Sequence, residues 1–282
     1  MNLRTWALVM TLSALGVDAE AQTCDVLCDA SFMLLASDAE IAAEILKADV
    51  NARNEVGDFA LMAAACRSTK IVKLLLDAGA EVNARSEGGY TALTSAVYCG
   101  FADTVKVLLD AGAEINATAR DGTTALILAV RSGSADTVKV LLDAGADLNA
   151  RTEDGRTVLM FAAYSGSADA VKVLLDAGAD VTARDKLGLT ALMYAAGYGG
   201  ADAVKVLLDA GADVNARGER GYTVLMFAAG DGTPETASML LDAGADASVR
   251  DADGKTAWDH AKENDQIAGT DLYWMLNDAQ WK

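Results

Sequence analysis

Short alanine-rich apolar runs alternate with amphipathic runs along most of this chain. The stretch from Arg151 to Asp180 shows one full cycle. Thr152-Glu-Asp-Gly155 is a turn signal, in which Gly155 suits a positive φ. Thr157 then precedes Val158-Leu-Met-Phe-Ala-Ala163, a short apolar helix that the threonine can cap. Gly166 ends it. Asp169 to Gly178 follows as a second helix, with Val171, Leu174 and Leu175 on one face and Gly178 as its stop. Ala179 to Arg184 is a short extended run leading into the next turn. The predicted unit is turn, helix, helix.

The unit recurs with a fixed step. Asp-Ala-Gly-Ala begins at Asp77, Asp110, Asp143, Asp176, Asp209 and Asp242, each 33 residues after the last. Thr-(Ala/Val)-Leu keeps the same step at Thr91, Thr124, Thr157, Thr190 and Thr223, and Thr256 continues it as Thr-Ala-Trp. Such repetition predicts a solenoid, whose core lies between neighbouring units and whose outside offers a long surface rather than a pocket. Function then lies in binding another macromolecule. Lys106, Lys139, Lys172 and Lys205 stand three and four residues from aspartates on the second helix, which reads as a solvated outer face.

Gly188-Leu-Thr-Ala-Leu-Met-Tyr-Ala-Ala196 and Leu207-Leu-Asp-Ala-Gly-Ala-Asp-Val-Asn-Ala216 closely resemble the ankyrin repeat, over roughly nine tenths of the chain. The resemblance implies an all-α solenoid of stacked helix-turn-helix units with β-turn fingers. The departures are systematic. The family proline is Ala or Val, and the family histidine is Met, Ile or Thr, which removes the usual Thr–His hydrogen-bond network. Residues 22–52 read as an N-terminal cap, with Phe32-Met-Leu-Leu35 and Ile41 to Leu46 as degenerate repeat text. Residues 53–249 read as six central repeats with turns near Gly57, Gly89, Gly122, Gly155, Gly188 and Gly221, and residues 250–282 as a capping repeat. The first repeat is one residue short between Leu61 and Asp77, so its turn near Arg67 should tighten.

Residues 1–21 stand outside the array. Arg4, an apolar stretch from Thr5 to Val17 and Ala19-Glu-Ala21 give the form of a secretory signal, and the apolar stretch is short for a membrane span. The expectation is a bacterial periplasmic or secreted protein, with a lipid anchor at Cys24 as the alternative. Export favours disulfides among Cys24, Cys28, Cys66 and Cys99, which allow three connectivities. Cys24–Cys28 with Cys66–Cys99 is favoured, because Cys66 and Cys99 occupy nearly equivalent places in adjacent repeats; redox or metal chemistry and free thiols remain open. A net charge of −18 argues against nucleic acid and anionic membrane surfaces as partners.

Positions that vary between repeats on an exposed face are the candidates for recognition. In ankyrin proteins these are the turn fingertips and the end of the first helix, which form the concave face. Carried onto this chain, the fingertips are Glu87, Tyr90, Arg120, Asp154, Arg156, Lys186, Leu187, Leu189, Glu219, Arg220 and Tyr222. The first-helix positions are Tyr98, Arg131, Tyr164, Tyr198 and Asp231. Tyr and Arg are the residue types enriched at interface hot spots. Binding is favoured over simple core coverage because Tyr90, Leu187, Leu189 and Tyr222 fall at turn tips. A second row, Arg53, Arg85, Arg151, Arg184, Arg217 and Arg250, could be an anion ladder, but pairing of each Arg with a finger carboxylate is favoured.

No catalytic constellation or metal-spaced cluster is present, and His260 is the single histidine. No enzyme, cofactor or metal is expected. The apolar terminal helix around Leu272 to Leu276 with Trp281 reads as closure of the solenoid rather than a membrane edge. The expected role is a monomeric protein-binding module. Similar ankyrin proteins are associated with catalase function, which implies an accessory or protective partner of a periplasmic enzyme. An immunity-type toxin inhibitor and a lipid-anchored envelope scaffold are the alternatives.

Overall fold

A computed structural model describes residues 37–45, 49–54 and 58–281. The proposed leader, Cys24, Cys28, Phe32 to Leu35 and the turn at Gly57 lie outside the described residues. The chain divides after Arg120 into two compact units. The first contains helices α1 (Asp38–Ile45), α2 (Ala60–Ala65), α3 (Thr69–Asp77), α4 (Ala92–Tyr98) and α5 (Ala102–Asp110). The second contains α6 (Ala125–Arg131), α7 (Ala135–Asp143), α8 (Val158–Ser165), α9 (Ala168–Asp176), α10 (Ala191–Tyr194), α11 (Ala201–Asp209), α12 (Val224–Gly230), α13 (Pro234–Asp242), α14 (Ala257–Ala261) and α15 (Asp271–Ala279). Among the described residues no strand forms and no helix is long and apolar enough to cross a membrane.

Threonine starts the first helix of each repeat from α4 onward. The Ile127 N–H donates to Thr124 Oγ1 at 3.3 Å, and the Met193 N–H donates to Thr190 Oγ1 at 3.4 Å. Loss of the family histidine does not by itself leave the cap's own N–H idle. The Thr157 N–H donates to Met160 Sδ at 3.4 Å, and Thr223 repeats this with Met226 at 3.4 Å. Thr94 Oγ1 serves Thr91 at 2.8 Å, and an Asp259 carboxylate oxygen serves Thr256 at 3.0 Å. Sulfur, hydroxyl and carboxylate thus close the same reciprocal capping box. At Thr91, Thr157, Thr223 and Thr256 the lost histidine is a change of acceptor, whereas Ile127 offers Thr124 none.

Alanines then bring the first helices together. Ala162, Ala163, Ala195, Ala228 and Ala229 are fully buried where α8, α10, α12 and α14 stack in the second unit. The second helices bury one stripe each, such as Val171 and Leu174 in α9 and Val204 and Leu207 in α11. Burying each such side chain contributes about 1.5–3 kcal/mol. Their outer face keeps Lys106, Lys139, Lys172 and Lys205 exposed. Among the described residues none of these lysines joins an ion pair, so the helix aspartates and lysines remain solvated.

Successive fingers are tied by backbone rungs. Within the second unit the Lys186 N–H donates to Asp154 O at 3.0 Å, Glu219 to Leu187 O at 2.8 Å and Ala252 to Arg220 O at 2.7 Å. In the first unit Arg120 donates to Gly88 O at 3.0 Å. Asparagines add a second tie. Asn215 Nδ2 donates to Gly244 O at 3.1 Å while its Oδ1 accepts from the Asp246 N–H at 2.8 Å, and Asn83 does the same to Gly112 and Glu114.

The arginine row corrects the sequence expectation. Arg151 donates to Gly155 O and Arg184 O, each at 3.0 Å. Arg184 donates to Gly188 O at 2.9 Å, and Arg250 to Gly254 O at 2.7 Å. Among the described residues Arg85 adds an ion pair to Glu114 at 3.1 Å. The pKa values of Asp180 and Asp246 are lowered first by hydrogen bonds within their turns and then by the charges of Arg151 and Arg217, without a direct pair. The reason is competition: finger aspartates already accept turn N–H groups, as Asp185 does from Leu187 and Leu189, and Asp251 from Asp253 and Lys255. The guanidinium fork is left to satisfy turn carbonyls.

The short first repeat behaves as expected. Helix α2 ends at Ala65, and the turn at Cys66 and Arg67 closes by N–H bonds to Ala63 O and Ala64 O. No left-handed residue is used there, whereas Gly100 sits at φ +77° in the next repeat. Cys66 and Cys99 form a disulfide with Cα atoms 5.3 Å apart, the pairing favoured from their register. It closes a loop of 33-residue separation, for which chain-entropy estimates give about 3–4 kcal/mol. Replacing both cysteines by serine should therefore speed amide exchange across α2 to α5 and leave α12 to α15 unchanged. Equal exchange in both proteins, read by hydrogen–deuterium mass spectrometry, would show that the bridge carries no stability.

Candidate protein-binding face

In the second unit fingers meet first helices, as Tyr194 of α10 bonds finger residue Asp185 and takes Arg156 near its ring. Tyr98 and Arg131 end α4 and α6, Tyr164 lies at the equivalent position in the last turn of α8, and all three are exposed. The next equivalent position is Gly197, which is buried against Phe227. There α10 stops after Tyr194, and the chain continues as a π-turn from Ala195 to Gly199. Gly199 permits this because a Cβ there would fall on the Ala163 carbonyl oxygen. Such widened turns recur at functional sites.

The π-turn carries Tyr198 to Tyr164, with ring centroids 5.2 Å apart and planes at 43°. Both rings remain about half exposed, at 52% and 53%. The Tyr198 hydroxyl donates to Asp231 Oδ2 at 3.4 Å. Its pKa is raised, first by burial and then by the Asp231 charge and hydrogen bond.

Beside Tyr164 lies Tyr194, which is not among the fingertip and first-helix candidates. It is 7% exposed, and its hydroxyl donates to Asp185 Oδ2 at 2.7 Å. Burial and then that carboxylate push its pKa well above the ordinary tyrosine value. Its ring meets the edge of Tyr164 at 6.4 Å, and the Arg156 guanidinium lies 5.4 Å from its centroid. Arg156 also pairs with Asp154 at 2.9 Å. A signal for Tyr194 existed in the register. The equivalent positions hold Phe161, Tyr194, Phe227 and His260, and only the polar rings have a finger aspartate nine residues earlier, Asp185 and Asp251.

The remaining candidates divide by burial. Leu187 is exposed at 53%, as its place at a turn tip predicts. Tyr90, Leu189 and Tyr222 are half-buried. The Tyr90 ring lies over Gly88, where an added Cβ would come within 3.0 Å of it, and Leu189 lies over Gly218 with a corresponding 2.7 Å. Tyr222 packs against Phe227 at 6.0 Å and His260 at 5.3 Å. Turn-tip position therefore does not prevent coverage, because each ring or chain folds onto backbone or a neighbouring ring. Arg120 and Arg131 are exposed. Arg220 adopts φ 58°, a region few side chains enter, and pairs with Asp253 at 2.7 Å. Arg156, Tyr164, Tyr198 and Asp231 are thus gathered in the second unit, while Tyr90, Tyr98 and Arg120 belong to the first.

Closure of the C-terminal end follows the expectation in part. Leu272 and Leu276 are buried, but Trp274, Met275 and Trp281 stay exposed. His260 Nε2 contacts Asp251 Oδ2 at 2.9 Å, and the Lys262 ammonium sits 3.6 Å above the Trp258 ring. Among the described residues no group of His, Cys, Asp and Glu could hold a metal.

Two carboxyls at this end have lowered pKa values. Burial alone would raise Asp259, yet Lys262 and the Thr256 N–H and hydroxyl hold it at about 2, below its ordinary 3.8. Burial likewise opposes Asp251, but His260 and two backbone N–H groups bring it below the ordinary value. A depressed carboxyl stabilises the fold above its unfolded pKa, and that contribution disappears as pH falls through the folded one. Tryptophan emission from Trp258, Trp274 and Trp281 should therefore report loosening between about pH 4 and 2. Asp259→Asn should flatten this dependence; an unchanged acid profile would contradict the assignment.

Residues 32–119, 116–185 and 192–269 match the family described as ankyrin repeats (3 copies). The crystal structure of the human ASB11 ankyrin repeat domain is similar, with 30% identity and a TM-score of 0.70, covering 77% of this chain and 96% of that one. No curated protein matches the chain at a significant level. Ankyrin repeats generally mediate protein–protein interaction, and no enzyme family is indicated. The chain belongs to the ankyrin-repeat family.

Proposed function

We propose that this chain is an extracytoplasmic binding module, periplasmic in a bacterial cell, that holds a partner protein against its finger and first-helix face. The observation that carries the reading is the exposed pair Tyr164 and Tyr198, brought together by a π-turn and backed by the buried Tyr194. Aromatic side chains left half exposed on a rigid support lose little conformational entropy on binding. The signal-like N-terminus and the Cys66–Cys99 bridge support an oxidising compartment. Association of similar proteins with catalase function supports an accessory role toward an enzyme of that compartment.

The test uses residues 22–282 as bait in an extracytoplasmic extract of the source cell. One variant changes Tyr164 and Tyr198 to Ala, and another changes Lys139 and Lys172 to Ala on the outer face. The expected result is a partner retained by the native and outer-face baits and lost by the tyrosine variant. A partner lost only with the outer-face variant would overturn the choice of face.

A further inference from the structure

The Tyr164–Tyr198 pair ends in a carboxylate. Asp231 is exposed and lies beside the Tyr198 hydroxyl. We infer that Tyr164, Tyr198 and Asp231 form a receptor for a single arginine side chain presented by the partner, an inference that rests on the protein-binding reading above. A tyrosine face attracts a cation through its quadrupole, and the attraction grows when the pair is partly withdrawn from water. A guanidinium is planar, so it can lie on one ring while its edge donates to a carboxylate, which a lysine ammonium matches less well.

The chain uses the same chemistry within its own fingers. The Arg156 guanidinium stands 5.4 Å from the Tyr194 centroid, and that of Arg53 stands 4.6 Å from Phe59. Tyr164 and Tyr198 leave about half of each side chain exposed, on a chain of net charge −18. The neighbouring charges select the position of the incoming cation. Arg131 is equivalent to Tyr164 one repeat earlier and repels a cation from that side. Arg156 is already paired with Asp154. Asp231 belongs to the repeat that follows Tyr198, so the cation is drawn toward the Asp231 end.

The test needs no partner. N-acetyl-arginine N-methylamide is titrated into the protein, with the uncharged citrulline analogue in parallel, and the ring resonances of Tyr164 and Tyr198 are followed by NMR. Saturable shifts of both rings with the arginine compound, and markedly weaker binding of citrulline, are expected. Asp231→Asn should weaken arginine binding by about two- to fivefold, the range of an exposed ion pair. Asp169→Asn, on the outer face, should leave it unchanged. Equal ring shifts with the two compounds, or indifference to Asp231→Asn, at probe concentrations up to about 0.1 M would overturn the receptor. Partner capture that still depends on Tyr164 and Tyr198 would then preserve the binding face with a different anchor.

Discussion

First helices in this protein must approach as closely as alanine allows, and most other features follow from that contact. Ala162 and Ala163 of α8 and Ala195, Ala228 and Ala229 farther on are fully buried. A helix this apolar and this short is marginal alone and is stabilised only by its neighbours. Gly232 shows how little space is left, since a Cβ there would strike the Ala196 carbonyl oxygen. With the helices fixed at this separation, each finger falls within hydrogen-bond reach of the preceding one. The Asn and Arg ties then satisfy the carbonyls that turns and helix ends leave over.

The same constraint separates support from recognition. Residues that touch both neighbours are held to alanine, threonine and a few aliphatics. The outward ends of the first helices escape that restriction, and there the sequence moves from Tyr98 and Arg131 to Tyr164, Gly197 and Tyr198. The π-turn buries Gly197 and moves the exposed tyrosine one residue along, to Tyr198. A local irregularity in one repeat thereby makes a paired aromatic surface that a perfect repeat would not contain.

Repeat type, helix limits and the Cys66–Cys99 pairing were legible in the sequence because each depends on register. Thr157 and Gly166 cap α8 where periodicity placed them. Details set by competition for hydrogen bonds were not legible. Substitution of Met160 for histidine suggested a lost network, yet its sulfur accepts the same N–H. The arginine row invited carboxylate partners, but Asp185 and Asp251 were committed to their own turns. Tyr90, Leu189 and Tyr222 looked exposed because backbone turns are exposed, while side-chain rotation decided their burial. The π-turn had only the glycines of Ala195-Ala-Gly-Tyr-Gly-Gly200 to announce it, and glycine content alone does not specify a widened turn.

Hydrogen exchange of the protein alone and in complex with its partner addresses the central division most directly. Recognition by fingers and first-helix ends predicts slowed exchange over residues 153–166 and 186–199, with no change over α7, α9 and α11. Protection confined to α7, α9 and α11 would place the partner on the charged outer face. That outcome would contradict the assignment of Tyr164 and Tyr198 to recognition.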